Sequence, residues 1–151
     1  MQIDDAIQAV RAFHERTASP IADRPRLLPG GKVGAEVLAR QLLAIKAEIR
    51  ADGDNLLLQR AAMAIEELAE WLQAHAKGDL VAAADAWADR AFVLFGDAVA
   101  AGLPAAPLFA EVHRSNMTKE PVAGRSGKAH KGPGYTPPDL GAILRTAGSK
   151  T

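Results

Sequence analysis

The stretch LLLQRAAMAIEELAEWLQAHAKGDLVAAADAWADRAFVLFGDAVAA, Leu56 to Ala101, decides the fold. It is dense in alanine, the strongest helix former, and holds no proline. Lys77-Gly78-Asp79 interrupts it, with Asp79 placed to cap a second helix. The pattern predicts one helix from about Leu56 to Ala76 and another from about Leu80 to Ala101. Glu66, Glu67 and Glu70 fall on the first; Asp85 and Asp89 fall on the second. Clustered carboxylates repel unless something positive sits among them, and hard divalent cations, which prefer oxygen ligands, are the usual answer.

Outward from this pair the chain stays helical. Ile7, Val10 and Phe13 give an N-terminal helix opening near Asp4 or Asp5 and ending before Ser19-Pro20. Pro20, Pro25, Pro29 and Gly30-Gly31 mark an irregular connector reaching Gly34. A helix from about Ala35 to Arg50 presents Val37, Leu38, Leu42 and Ile45 on one side, and Asp52-Gly53-Asp54-Asn55 breaks it and caps the next. Gly102-Leu103-Pro104 leads into a helix from about Ala105 to Asn116. The Gly-, Pro- and Lys-rich run Lys119 to Pro138 comes after it, then a short turn near Asp139 to Arg145. Four helices joined by short breaks read as an antiparallel bundle. The expectation is one all-α domain over 1–151: N-terminal helix and connector (1–34), helical core (35–118) and C-terminal segment (119–151).

Eighteen basic and eighteen acidic side chains leave no net charge, so no global field points to nucleic acid or an anionic membrane. Without cysteine there are no disulfides or thiolate metal sites. No apolar run opens the chain as a secretory signal does, and no window approaches the roughly 20 apolar residues of a membrane span. A cytoplasmic protein is expected.

On a helical wheel Leu57, Ala61, Ala64, Ile65, Leu68, Trp71 and Leu72 form one stripe of the first acidic helix, with Glu66, Glu67 and Glu70 mostly opposite. Alone, that is an ordinary solvated acidic face. The second helix differs. Asp85, Asp89, Phe92, Gly96 and Val99 share one face, Trp87, Ala91, Leu94 and Ala98 the other, and only Arg90 and Asp97 mark a wet edge. A helix apolar on nearly every side is buried or covered by a partner. Asp85 and Asp89 then need either internal ion pairs, to Arg60 or Arg90, or a metal or phosphate site. Gly96 either lets helices approach closely or leaves room for a bound base. Near the end of the Ala105 helix, His113, Arg114 and Lys119 read as cations capping a helix C-terminus or as a grip for phosphates. Lys131 and Tyr135 sit in a basic tail that serves equally as a substrate-covering loop. No Walker loop, nucleophile elbow or zinc spacing is present.

Together these motifs resemble the all-α nucleotide pyrophosphohydrolases, the MazG-like and phosphoribosyl-ATP-pyrophosphohydrolase-like superfamily. Its pattern is Glu-Glu-x-x-Glu on one helix and Glu-x-x-Asp on the next. Glu66-Glu67-x-x-Glu70 matches the first half and Asp89 the final aspartate. The intervening glutamate position is Ala86, for which Asp85, one residue back, is the substitute. The stretches Asp85–Gly96, Glu111–Lys119 and Lys131–Asp139 are similar to the bacterial and phage-type branch, with Phe92 where tyrosine is common. Residues 35–54 look longer than that branch carries and have no assigned role.

The resemblance implies a MazG-like four-helix-bundle-type domain completed by dimerisation, working as a homodimer or tetramer. It implies hydrolysis of a (deoxy)nucleoside triphosphate to the monophosphate and pyrophosphate in nucleotide-pool house-cleaning, with no nucleic-acid or membrane partner. Glu67, Glu70, Asp85 and Asp89 would hold Mg²⁺ or Mn²⁺, and Glu66 would orient or deprotonate water. Asn116 and Lys119 would bind phosphate oxygens, with Arg114 a secondary candidate and Lys131 and Tyr135 closing over the nucleotide. The alternatives are a catalytically impaired nucleotide- or protein-binding homodimer of the same fold, which Ala86 favours, and the phosphoribosyl-ATP step of histidine synthesis.

Overall fold

A computed structural model describes residues 1–50, 55–124 and 127–148, without the Arg50 side chain. In order they form α1 (Ile3–Arg16), α2 (Lys32–Arg50), α3 (Leu56–Lys77), α4 (Leu80–Ala101), α5 (Ala105–Met117), β1 (Glu120–Pro121), β2 (Ala129–His130) and α6 (Leu140–Gly148). The fold is all-α, as expected. The strand pair β1–β2 is antiparallel and minimal, with Glu120 opposite His130; two residues per strand carry no readable period. The chain divides into two compact units, Arg24–Ala101 and Met1–Asp23 with Gly102–Thr151.

In the Arg24–Ala101 unit, α3 packs against both α2 and α4. The expected boundaries of α3 and α4 hold because local caps set them. Asn55 Oδ1 accepts from Leu58 N at 3.2 Å. Gly78, at φ 77°, closes α3 in the left-handed region where glycine has no penalty. Asp79 Oδ1 then accepts from Ala82 N at 3.0 Å. Asp52, Gly53 and Asp54, expected to break the preceding helix, lie outside the described residues. α2 begins at Lys32 rather than Ala35, with Gly34 tolerated in its first turn.

Which faces are buried departs from expectation. The buried hydrophobic residues are all alanines: Ala39, Ala62, Ala69, Ala74, Ala83 and Ala86. Alanine faces let helices approach closely, and no hydrophobic side chain larger than alanine is buried among the described residues. On α2 the buried stripe is therefore Ala39 and Lys46, flanked by half-buried Leu42, Leu43 and Ile49, while Val37, Leu38 and Ile45 are exposed. On α4, Arg90 and Asp97 face α3, although the Asp97 side chain stays 41% exposed. Arg90 lies over the Trp71 ring, 5.1 Å from its centroid, and Asp97 pairs with Arg60 at 2.6 Å. The broad apolar side of α4 faces outward, with Phe92 79% and Val99 83% exposed. A groove of about 490 Å³ beside it is lined by Ala64, Leu68, Trp87, Ala91 and Leu94 among others.

In the other unit, α1 packs on α5 and α5 on α6. The cap of α1 is Gln2, not Asp4 or Asp5: the Gln2 N–H donates to Asp5 Oδ2 at 2.8 Å, which puts both aspartates in the first turn. Arg16 donates through Nε and Nη2 to Lys119 O, each at 3.2 Å. No single helix among the described residues is long and apolar enough to cross a membrane.

Candidate active site

Helical spacing and two caps bring the acidic residues together. Glu66, Glu67 and Glu70 occupy neighbouring turns of α3; Asp85 and Asp89 lie one turn apart on an edge of α4. Glu67 is the centre. Its Oε2 is shut off from solvent and has no hydrogen-bond partner. Its carboxyl is held above the ordinary carboxylate range, first by desolvation and then by the charges of Glu70, Asp89, Glu66 and Asp85, in that order. The four other carboxylates named from the sequence are thus close enough to Glu67 to act on it.

Neither internal ion pair considered for Asp85 and Asp89 forms. Arg60 is spent on Asp97 Oδ1 and on Val93 O at 2.5 Å, and Arg90 on the Trp71 ring. Among the described residues neither aspartate has an ion-pair partner. The donor set suits a hard divalent cation: oxygen ligands only, with one shielded oxygen lacking any donor. Even so, no group of three or more His, Asp or Glu side chains among the described residues is already drawn together as a metal cage. Ala86 is 3% exposed on a helix that packs against α3, whereas Asp85 and Asp89 are exposed.

The remaining named residues gather on α5 and the segment after β2. Arg114 donates through Nε and Nη2 to both oxygens of Glu111, at 2.8 and 2.7 Å, and also to Thr136 Oγ1 and Pro137 O. It pins the 135–139 segment, and those donors are committed there. Glu111 also accepts from Asp139 N at 2.8 Å; the Arg114 hydrogen bonds foremost, then this one, hold its carboxyl at about 2. Ser115, buried, donates to Thr136 O at 2.9 Å and lies 3.5 Å from Tyr135 Oη. The Ser115 contact and the nearby Lys131 and Lys119 charges bring the Tyr135 hydroxyl below its usual value. Lys131 Nζ rests 5.0 Å from the Tyr135 ring centroid. Asn116 and Lys119 stand beside this group at the end of α5, half-buried.

The family model described as phosphoribosyl-ATP pyrophosphohydrolase matches residues 39–116, just over half of the 151. The chain belongs to that family. The match covers Glu66, Glu67, Glu70, Asp85 and Asp89 and the α5 residues Arg114 and Asn116. A crystal structure of a protein from Exiguobacterium sp. 255-15, provisionally named an NTP pyrophosphohydrolase, is similar at a TM-score of 0.59 and 27% identity. That likeness covers 97% of this chain and 98% of the other. No curated protein matches the chain. Family and neighbour agree on a MazG-like all-α hydrolase.

Helical patterning did not single out Lys46. This α2 residue is 8% exposed, and its Nζ pairs with Glu66 Oε1. The available signal was a lysine seven residues after Ala39, on the same helical face and in the segment given no role.

Proposed function

We propose that the protein is a metal-dependent (deoxy)nucleoside triphosphate pyrophosphohydrolase that yields the monophosphate and pyrophosphate and serves nucleotide-pool house-cleaning. The observation that carries this is Glu67: a shielded, donorless carboxylate oxygen amid four further carboxylates. Such crowding opposes folding unless a ligand repays it, and a site that binds divalent cations is that ligand's place.

Glu67, Glu70, Asp85 and Asp89 would hold Mg²⁺ or Mn²⁺. Cations bound there supply Lewis-acid polarisation of phosphoryl oxygens and a more acidic water. Glu66 orients the attacking water toward the α-phosphorus and accepts its proton. The family resemblance gives Asn116 and Lys119 to phosphate oxygens and Lys131 and Tyr135 to covering the nucleotide; all four lie in the compact unit that does not hold the carboxylates. Arg114 acts through the segment it pins. The exposed apolar side of α4 is the surface on which a second copy completes the bundle, as a homodimer or tetramer.

The test is a nucleotide panel with Mg²⁺ or Mn²⁺ and separate assays for pyrophosphate and orthophosphate. Pyrophosphate release from at least one triphosphate is expected. Orthophosphate alone, or no turnover across the panel, defeats the reading.

A further inference from the structure

Lys46 occupies a position on α2 that packing alone would give to an apolar residue. Its neighbours along the buried stripe are Ala39, Leu42, Leu43 and Ile49. Burying an ammonium there is costly unless an opposite charge meets it. The charge that meets it is Glu66, whose side chain is one-third exposed. Glu66 is also the one member of the acidic group with a cation of its own among the described residues. Its neighbour Glu67 keeps a shielded oxygen with no donor at all. The five carboxylates are therefore not equivalent. Lys46 cancels one of the five charges, and the four that remain match two divalent cations.

We infer that Lys46 is a positioning residue: its ammonium withdraws Glu66 from the cation-binding carboxylates and reserves it for the attacking water. Cations then gather on Glu67, Glu70, Asp85 and Asp89. This rests on the pyrophosphohydrolase reading above. It also gives α2 a part in the chemistry, since this helix supplies the resident cation of the site.

The test is a Mn²⁺ titration without nucleotide, by calorimetry or by the electron paramagnetic resonance of free Mn²⁺. The proteins are wild type, Lys46→Met, Glu66→Gln and the double variant, each checked by circular dichroism. Lys46→Met frees a carboxylate charge, so Mn²⁺ should bind about tenfold tighter, a size set by a unit charge acting through partly screened protein. Glu66→Gln leaves the ammonium unbalanced and should weaken Mn²⁺ about tenfold by the same argument. The double variant should return to within about threefold of wild type, because the lost pair was neutral. At saturating Mn²⁺, Lys46→Met should lower kcat with little change in KM, and Lys46→Arg should restore kcat. A merely structural lysine would leave kcat at saturating Mn²⁺ unmoved.

Should Glu66 be a ligand instead, the double variant stays as weak as Glu66→Gln, and the inference is overturned. If Lys46→Met does not fold, wild-type affinity in Glu66→Gln overturns it as well. Wild type that binds Mn²⁺ and releases pyrophosphate, beside an unmoved Lys46→Met, sinks this inference alone. Wild type that does neither sinks the pyrophosphohydrolase reading together with it.

Discussion

The Arg60 guanidinium crosses from α3 to α4 and rests directly over Gly96, held by Asp97 Oδ1 at 2.6 Å and Val93 O at 2.5 Å. A methyl group on Gly96 would lie 2.5 Å from Arg60 Nη2 and 3.2 Å from its Cζ and Nη1. The glycine makes room for a side chain of this chain rather than for a bound base. Gly96→Ala should therefore push Arg60 out of both hydrogen bonds. The expected loss is about 1–3 kcal/mol, since alanine's better helix propensity offsets part of the displaced bonds. Urea denaturation measures it; a variant as stable as wild type would mean the guanidinium relocates freely.

Glu67 opposes the fold that it serves. Its folded carboxyl binds a proton more tightly than the unfolded chain's, so its stabilising contribution exists at low pH, below the unfolded value. That contribution is lost as pH rises through the raised folded value. At neutral pH, without metal, the charged group is a net cost. Glu67→Gln should raise the melting temperature of metal-free protein at pH 7 by about 2–4 °C, the shift expected per kcal/mol at this size, and the gap should close on acidification. Mn²⁺ should then stabilise wild type and not the variant, while Glu67→Gln abolishes metal-dependent turnover. Equal melting temperatures in EDTA would show that the crowding carries no energetic penalty.

The opposite sign applies to Glu111. Arg114 and the Asp139 N–H hold its carboxyl at about 2, below the usual 4.5. The stability this clamp provides is present above the unfolded value and drains away as pH falls from about 4.5 toward 2. Glu111→Gln should melt below wild type at pH 7 and converge with it near pH 2. Because the clamp pins residues 135–139, the variant should also show faster amide exchange at Thr136 and Asp139. Parallel melting curves across that range would deny the clamp a part in stability.

The boundaries of α3 and α4 were legible because their causes are local: Asn55, Gly78 and Asp79 each act within one turn. The acidic cluster was legible for the same reason, since helical spacing alone groups Glu66, Glu67 and Glu70. Burial was not. Reading large residues as the inward stripe works when they pack the core, but here the buried hydrophobic residues are alanines and Leu57, Phe92 and Val99 are turned out. Arg90 and Asp97 looked wet because charge usually marks solvent, whereas a cross-helix ion pair and a ring contact satisfy them. The Lys46–Glu66 and Glu111–Asp139 links join residues 20 and 28 positions apart. No local pattern announces such pairs.

Ala86 gives a prediction with two arms. Restoring the familiar motif by Ala86→Glu would place a carboxylate where alanine is 3% exposed. Stability should fall by several kcal/mol, at least about 3, as for an uncompensated buried charge, and activity should not improve. Asp85→Ala should leave the fold intact and reduce kcat by at least roughly 100-fold, more than residues outside a ligand shell usually cost. Chemical denaturation and pyrophosphate release report the two arms. An active, stable Ala86→Glu protein, or wild-type turnover in Asp85→Ala, would return position 86 to the ligand set.

The outward side of α4 sets the last expectation. Val81, Phe92, Leu94 and Val99 are 64 to 83% exposed, and buried hydrophobic side chains larger than alanine are absent among the described residues. So thin a core supplies little of the apolar burial that must offset chain entropy. A second copy seated on α4 would cover these residues and provide it. Charge placed there should then affect association before anything else, because Val99 touches solvent rather than α3. Val99→Asp should shift the protein to monomer in sedimentation at concentrations where wild type is dimeric or larger. Melting temperature should fall with it and become concentration-independent. A wild type that sediments as a stable monomer would mean that the alanine core suffices alone and that α4 has some other cover.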